Sequence, residues 1–319
     1  MRTRISNLLE TALPVLLGPM RAVTYGEMAA HVSNAGGFGQ IAASGLSGDR
    51  LQDEIRLARS LTDKPFGVNV PLYRPNAMEA VEIAAALGVR AITTSAGDPA
   101  KIIAMTRAAG MTVLHKVSSV AMARKAQAAG VDGVIATGHE AGGHIGRGDT
   151  TTFALVPQLI DAVDIPVVAA GGICDGRTLA AALALGAEGV EVGSRFLATS
   201  EAPVAGSVKQ ALVDMGDEDT LVLGRGAMPI RALKNPTTLR LADPDRGKEH
   251  RQLDRHGEAA YLKVQDGGVG LVPCGQNAGL IHEIYDIRRV LSTMVDEARI
   301  ALELSLALYE GEPPWTTST

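Results

Sequence analysis

The stretch Thr137-Gly138-His139-Glu140-Ala141-Gly142-Gly143-His144-Ile145-Gly146-Arg147-Gly148-Asp149 gathers two histidines, two carboxylates and an arginine among five glycines. An imidazole titrates near neutral pH and serves as proton donor or acceptor. Glycine lets backbone N–H groups come close to a ligand. A catalytic loop is the first reading of this pattern; a solvated surface loop is the bland one. Zinc held by His139, Glu140 and His144 is a third, but metal ligation does not call for such glycine density, and no metal is expected.

Two further turns carry glycine beside polar groups. Ala169-Ala170-Gly171-Gly172-Ile173 and Gly193-Ser194-Arg195-Phe196 each end a short apolar run. Backbone amides at such turns form anion nests, so Gly171, Gly172, Gly193 and Ser194 are candidate phosphate contacts, with Arg195 beside them. Asn69, inside an apolar run, would be costly to bury unpaired, and is free to bond either a ligand or neighbouring backbone. Lys116 follows another run, where its ammonium can steady negative charge on a ligand or pair with a Glu. Gly18-Pro19-Met20 supplies backbone groups at the end of the first run.

Something must bring these run ends together. The chain has 319 residues, enough for one large or two small domains. Short apolar runs begin at Val15, Gly39, Phe66, Ala91, Thr112, Gly133, Pro166 and Gly189. Between them lie helical patterns over Met28–Asn34, Asp49–Ser60, Ala77–Leu87, Pro99–Ala109, Ser119–Ala129, Phe153–Ala162, Gly176–Leu185 and Pro203–Asp214. Gly36, Gly88, Gly110, Gly130 and Gly186 stand where helices would end. Eight βα units in succession predict an α/β fold, a (β/α)8 TIM barrel. An open doubly wound sheet is the rival, usually with fewer units. In a barrel the C-terminal ends of the strands form the functional face, and every residue singled out above falls there. After Asp214 the rhythm breaks, so a C-terminal accessory or lid region is expected. The division is a barrel domain over 1–202, completed by a helix within 283–310, and a substrate-binding lid over 203–282. Residues Ile281–Glu310 read as one or two long helices, and the mixed-charge run Arg246–Arg255 as a solvated face.

Composition narrows the partners. Glycine accounts for 36 of 319 residues, about 11% against a usual ~7%, without a three-residue period. Aromatics are 3% and the net charge is −5. That leaves neither a stacking surface nor a basic footprint for nucleic acid. Two cysteines make no disulfide framework and fit a reducing cytoplasm; Cys174 reads as packed, Cys274 as able to approach a substrate. No apolar run is long enough for a membrane span. A small-molecule substrate is the expected partner, and a homodimer is compatible with the chain.

Taken together, Ala141-Gly142-Gly143-His144-Ile145-Gly146, Val168-Ala169-Ala170-Gly171-Gly172-Ile173 and Val192-Gly193-Ser194-Arg195-Phe196-Leu197 resemble the nitronate monooxygenase family, formerly 2-nitropropane dioxygenases. The FMN-dependent enoyl-acyl-carrier-protein reductases share its superfamily. Gly18-Pro19-Met20 and Gly275-Gln276-Asn277-Ala278-Gly279-Leu280 fit as well, so the resemblance runs from about Leu16 to Leu280. It implies FMN in the barrel mouth, with its phosphate on Gly171, Gly172, Gly193 and Ser194. Asn69 and Lys116 would face the ring, Met20 would add backbone contacts, and Glu140, Gly142 and Gly143 would belong to the cofactor-binding loop. His144 matches the family's catalytic histidine. The implied activity is oxidation of alkyl nitronates with O2. The alternative is an NAD(P)H-dependent reductase of an enoyl thioester or quinone, and a non-catalytic flavin or phosphate-ester barrel is the third reading. Arg21 and His139 depart from the family pattern. Arg21 at the first strand's mouth is suited to an anionic substrate.

Overall fold

The computed structural model describes residues 1–225, 228–243 and 270–311. Eight parallel strands form the barrel: β1 (Val15–Leu17), β2 (Gly39–Ala42), β3 (Phe66–Pro71), β4 (Ala91–Ser95), β5 (Thr112–Val117), β6 (Gly133–Thr137), β8 (Val167–Ala170) and β9 (Gly189–Val192). A two-residue strand, β7 (Gly143–His144), lies outside that ring. The ladder runs β1-β9-β8-β6-β5-β4-β3-β2. It closes where the Phe38 N–H donates to Val15 O at 2.8 Å and the Leu17 N–H donates to Phe38 O at 2.9 Å. The eight strands begin as the sequence predicts, except that β8 starts at Val167 and not Pro166. Lys116 belongs to β5 itself, which is longer than the apolar run alone suggests.

The connecting helices are α2 (Gly26–Asn34), α3 (Gly48–Leu61), α4 (Ala77–Ala86), α5 (Ala100–Ala108), α6 (Val120–Ala129), α7 (Thr152–Ile160) and α8 (Gly176–Ala184). Their starts follow from caps: Ser47, Ser119 and Asp175 each accept a backbone N–H of the first turn, satisfying a donor the helix cannot. α6 ends at Gly130, whose φ of 92° only glycine adopts readily. The helix after β9 is just four residues long, α9 (Ser194–Leu197). The eighth place in the outer ring goes to the final helix, α12 (Ile287–Glu310), whose Ile287, Val290, Leu291, Met294 and Ala298 are buried. It packs on α8 so closely that a side chain on Gly176 would collide with the Ala298 backbone, 2.3 Å away.

Strand side chains alternate with period two, and the barrel interior is therefore layered. Leu16, Phe38, Ala91, Leu114, Ile135 and Val168 make an apolar layer. Gly67 leaves room for the Phe38 ring, which a Cβ there would meet at 2.8 Å. A helix absent from the sequence prediction, α1 (Arg4–Leu9), plugs the floor with Ile5 and Leu9. It is too short for periodicity to reveal. Its signal is the Thr3/Ser6 capping box, in which Thr3 Oγ1 accepts the Ser6 N–H at 3.1 Å and Ser6 Oγ accepts the Thr3 N–H at 2.9 Å. Two residues further along, the same interior positions turn polar: Gln40, Asn69, Thr93, Lys116, Thr137 and Glu191. That second layer floors the functional face.

Beyond β9 come α10 (Gly206–Val213), β10 (Thr220–Leu223), β11 (Ile230–Leu233) and α11 (Pro236–Ala242). β10, β11 and β7 form a small antiparallel sheet, with Ile230 opposite His144 and Arg231 opposite Gly143. Neither this sheet nor α11 is legible as a pattern in the sequence. The charged run 246–255 lies outside the described residues.

Candidate active site

A cavity of about 1800 Å³ opens over the polar layer. Its wall contains Gly18, Pro19, Met20, Arg21, Asn69, Lys116, Gly142, Gly143, His144, Gly171, Gly172, Gly193 and Ser194, which stand at six separate places in the sequence. Barrel closure brings them together, because each lies at a strand's C-terminal end or just after it. The roof adds Val222–Arg225, Met228–Ile230 and Leu271, Pro273, Gly275 and Asn277.

His144 sits in the cavity wall on β7, held in register by β11. Pairing with a strand from the accessory region converts a glycine-rich loop into a defined edge, and this sets the imidazole's position. Arg231, on β11, is buried; its Nε donates to His139 O at 3.1 Å and its Nη1 donates to Thr220 Oγ1 at 3.0 Å. It therefore ties the histidine loop to β10. Its isolation in an apolar strand is the one sequence signal that could have marked it.

The glycines separate into two kinds. A Cβ on Gly142 would lie 2.5 Å from the Cys274 carbonyl carbon, and one on Gly18 would lie 3.1 Å from Val192 O. These residues let backbones cross. Gly171 and Gly172 have φ of 91° and 75°, a region of backbone conformation that favours glycine. Gly193 has no atom within 4 Å of where its Cβ would be, and Gly172 has only Glu140, at 3.9 Å. Gly172 and Gly193 thus present bare backbone at the cavity wall.

Four sequence expectations need correction. Cys274 points away from the cavity: it is buried against Met215, 3.8 Å sulfur to sulfur, and burial pushes its thiol up to about 12. Arg195 is buried, and its Nη2 donates to the carbonyls of Ala198 and Glu283 at 2.9 and 2.8 Å, so it braces the chain behind the glycine turn. Glu140 is outside the cavity wall; both its oxygens accept the Thr152 N–H, at 3.0 and 2.8 Å. His139 is also outside the wall, with Nδ1 3.3 Å from Asp149 Oδ1. Cys174 is packed, its thiol likewise raised by burial to about 12.

The groups present suit a flavin phosphate and ring. Besides the open seat at Gly172 and Gly193, three cavity-wall side chains carry buried polar atoms with no hydrogen-bond partner in the protein, Arg74 Nε, Thr137 Oγ1 and Asn277 Nδ2. Buried polar atoms are rarely left unsatisfied, so these point to a ligand. In the sequence, Asn277 stands out only as part of a motif, and Thr137 only as the start of the histidine loop. Ser194 Oγ accepts the Gly275 N–H at 2.8 Å, which pins the roof to the glycine turn after β9. Among the described residues, no group of three or more His, Cys, Asp or Glu is arranged to hold a metal, and no helix is long and apolar enough to cross a membrane.

Comparison with known proteins agrees with this geometry. FabK from Thermotoga maritima superposes with a TM-score of 0.92 at 38% identity, covering 97% of this chain and 99% of that one. A (3aS,4S,5R,7aS)-5-hydroxy-7a-methyl-1-oxo-octahydro-1H-indene-4-carboxyl-CoA dehydrogenase from Rhodococcus jostii is 40% identical over 234 residues, 73% of this chain and 66% of the relative's length. A probable nitronate monooxygenase from Staphylococcus saprophyticus is 35% identical over 279 residues, 73% of this chain and 79% of the relative. The family model for nitronate monooxygenase matches residues 2–297. With the barrel, the glycine turns and the histidine edge in place, the chain belongs to the nitronate monooxygenase family.

Proposed function

We propose that this oxidoreductase depends on FMN and acts on an acyl thioester, exchanging electrons with NAD(P)H. The observation that carries the substrate class is the cavity. At about 1800 Å³ it exceeds the ~300–1,000 Å³ usual for one small ligand, and Arg21, Arg74, Arg147 and Arg225 stand in its wall. Such a space takes a flavin together with a long anionic substrate, whereas a simple nitronate would leave most of it to water. The family relative that acts on a carboxyl-CoA supports the same class.

FMN, when bound, supplies the hydride chemistry. Gly171, Gly172, Gly193 and Ser194 would take its phosphate, and Asn69 and Lys116 would face the ring. His144 would hold or accept a proton at the substrate, a task suited to imidazole. Residues 203–282 would serve as the cover, since their described parts roof the cavity.

The second reading, oxidation of a nitronate with O2, rests on the family model and on His144 at the cavity wall. One series of measurements separates the two. The purified protein should be yellow or take up FMN; a colourless protein that resists reconstitution ends both readings. Under anaerobic conditions NADH or NADPH alone should bleach the flavin, and an enoyl-CoA should restore its colour. Bleaching by propionate 3-nitronate and by neither nicotinamide would replace the thioester reading with the nitronate one.

A further inference from the structure

Glu191 is a buried carboxylate that no motif in the sequence marks. It lies on β9 in the polar interior layer, with its side chain 4% exposed. Lys116, reaching across from β5, donates to Glu191 Oε1. The other oxygen, Oε2, accepts from Gln40 Nε2 at 3.4 Å. The orientation of that amide is set from its far end. Asn69 Nδ2 donates to Thr93 Oγ1 at 2.9 Å, the Thr93 hydroxyl donates to Gln40 Oε1, and Gln40 Nε2 also donates to Leu17 O at 2.7 Å. Both Glu191 oxygens are therefore acceptors, as in an ionised carboxylate. Lys116 and Glu191 both line the cavity, so the cavity floor presents a joined pair, and Lys116 is not a lone cation there.

We propose that Glu191 is a positioning residue that sets the charge facing the flavin ring, holding the Lys116 ammonium at the cavity floor and cancelling its charge. The inference rests on the reading of Lys116 as a neighbour of FMN. A lone ammonium in a partly dry site would favour the reduced, anionic flavin strongly, because charges act at longer range where water is scarce. A neutral pair removes most of that preference and keeps the bound flavin a better electron donor.

The test is the midpoint potential of the bound flavin, measured by equilibration with a reference dye in FMN-loaded wild-type protein and variants. Glu191→Gln leaves the ammonium unbalanced. It should shift the preference for reduced over oxidised FMN at least tenfold, an upward move of about 30 mV for a two-electron couple. Lys116→Met leaves the carboxylate unbalanced and should move the potential downward by a similar factor. The double variant restores a neutral pair and should return to within about threefold of wild type in the same preference. A merely structural role would make two disruptions of one network worse than one. An unmoved potential in Glu191→Gln, or a double variant further from wild type than both single ones, overturns the proposal. If Glu191→Gln does not fold, Lys116→Met and the double variant carry the comparison: a potential restored by the second substitution supports the proposal, and one not restored overturns it. Wild-type protein that takes up no FMN removes the flavin reading together with this inference, while bound FMN with an unmoved potential removes the inference alone.

Discussion

Glu140 and Thr152 join the histidine loop to the start of α7. Both carboxylate oxygens of Glu140 accept the Thr152 N–H, at 3.0 and 2.8 Å. The N-cap residue of that helix, Thr151, makes no side-chain cap of its own, so the carboxylate supplies from a distance what a cap normally supplies locally. The Thr152 hydroxyl also lies 2.9 Å from Gly171 O, which connects the histidine loop to the glycine turn after β8. Glu140→Ala should lower stability by about 1–3 kcal/mol, the cost of leaving such a group unsatisfied. Thermal denaturation would register this as a lower Tm.

In the proposed reaction His144, at the cavity wall, would handle the proton. His144→Ala should leave FMN bound, with an unchanged visible spectrum, while turnover falls at least about 100-fold. Unchanged turnover in steady-state assays would remove the imidazole from the chemistry.

The two kinds of glycine give opposite outcomes. At Gly193 an alanine meets nothing within 4 Å and φ is −111°, so Gly193→Ala should leave the Tm unchanged. The methyl group would instead stand in the phosphate seat, and FMN affinity, followed by fluorescence titration, should drop at least about tenfold, or ~1.4 kcal/mol. At Gly142 an alanine collides with the Cys274 backbone, and backbone yields poorly. Gly142→Ala should destabilise the protein by about 1–3 kcal/mol, visible in urea denaturation without any ligand.

His115 makes stability depend on pH. It is buried, with Nδ1 2.8 Å from Thr94 Oγ1, and burial lowers its pKa from 6.5 to about 4. Between those values the unfolded chain binds the proton and the folded one does not, so stability rises with pH there and is lost as pH falls. The loss from this group should reach about 3 kcal/mol by pH 4. Urea midpoints for wild type and His115→Gln, measured at pH 7 and pH 4.5, should converge at the lower pH if the variant is the weaker at pH 7.

Much of the barrel is determined locally and can be read from the chain. Apolar strand runs, capping residues such as Ser47 and Asp175, and helix-ending glycines such as Gly130 act within a few residues of themselves. Eight repeats of that unit leave few ways to close a sheet, so the strand ends, and with them His144, Asn69, Lys116 and Gly193, could be assigned to one face. What remained open depended on residues far apart in sequence. Arg195, Cys274 and Glu140 carry groups able to act in a site, and only packing turned them toward Glu283, Met215 and Thr152. Gly142 and Gly193 are identical as letters; one faces a crossing backbone and the other open space. Glu191 stands 75 residues from Lys116, and its place beside the ammonium follows from closure of the ring. Tertiary structure decided these matters because a side chain's chemistry depends on which partners and how much water surround it, and in a barrel both are supplied by other strands.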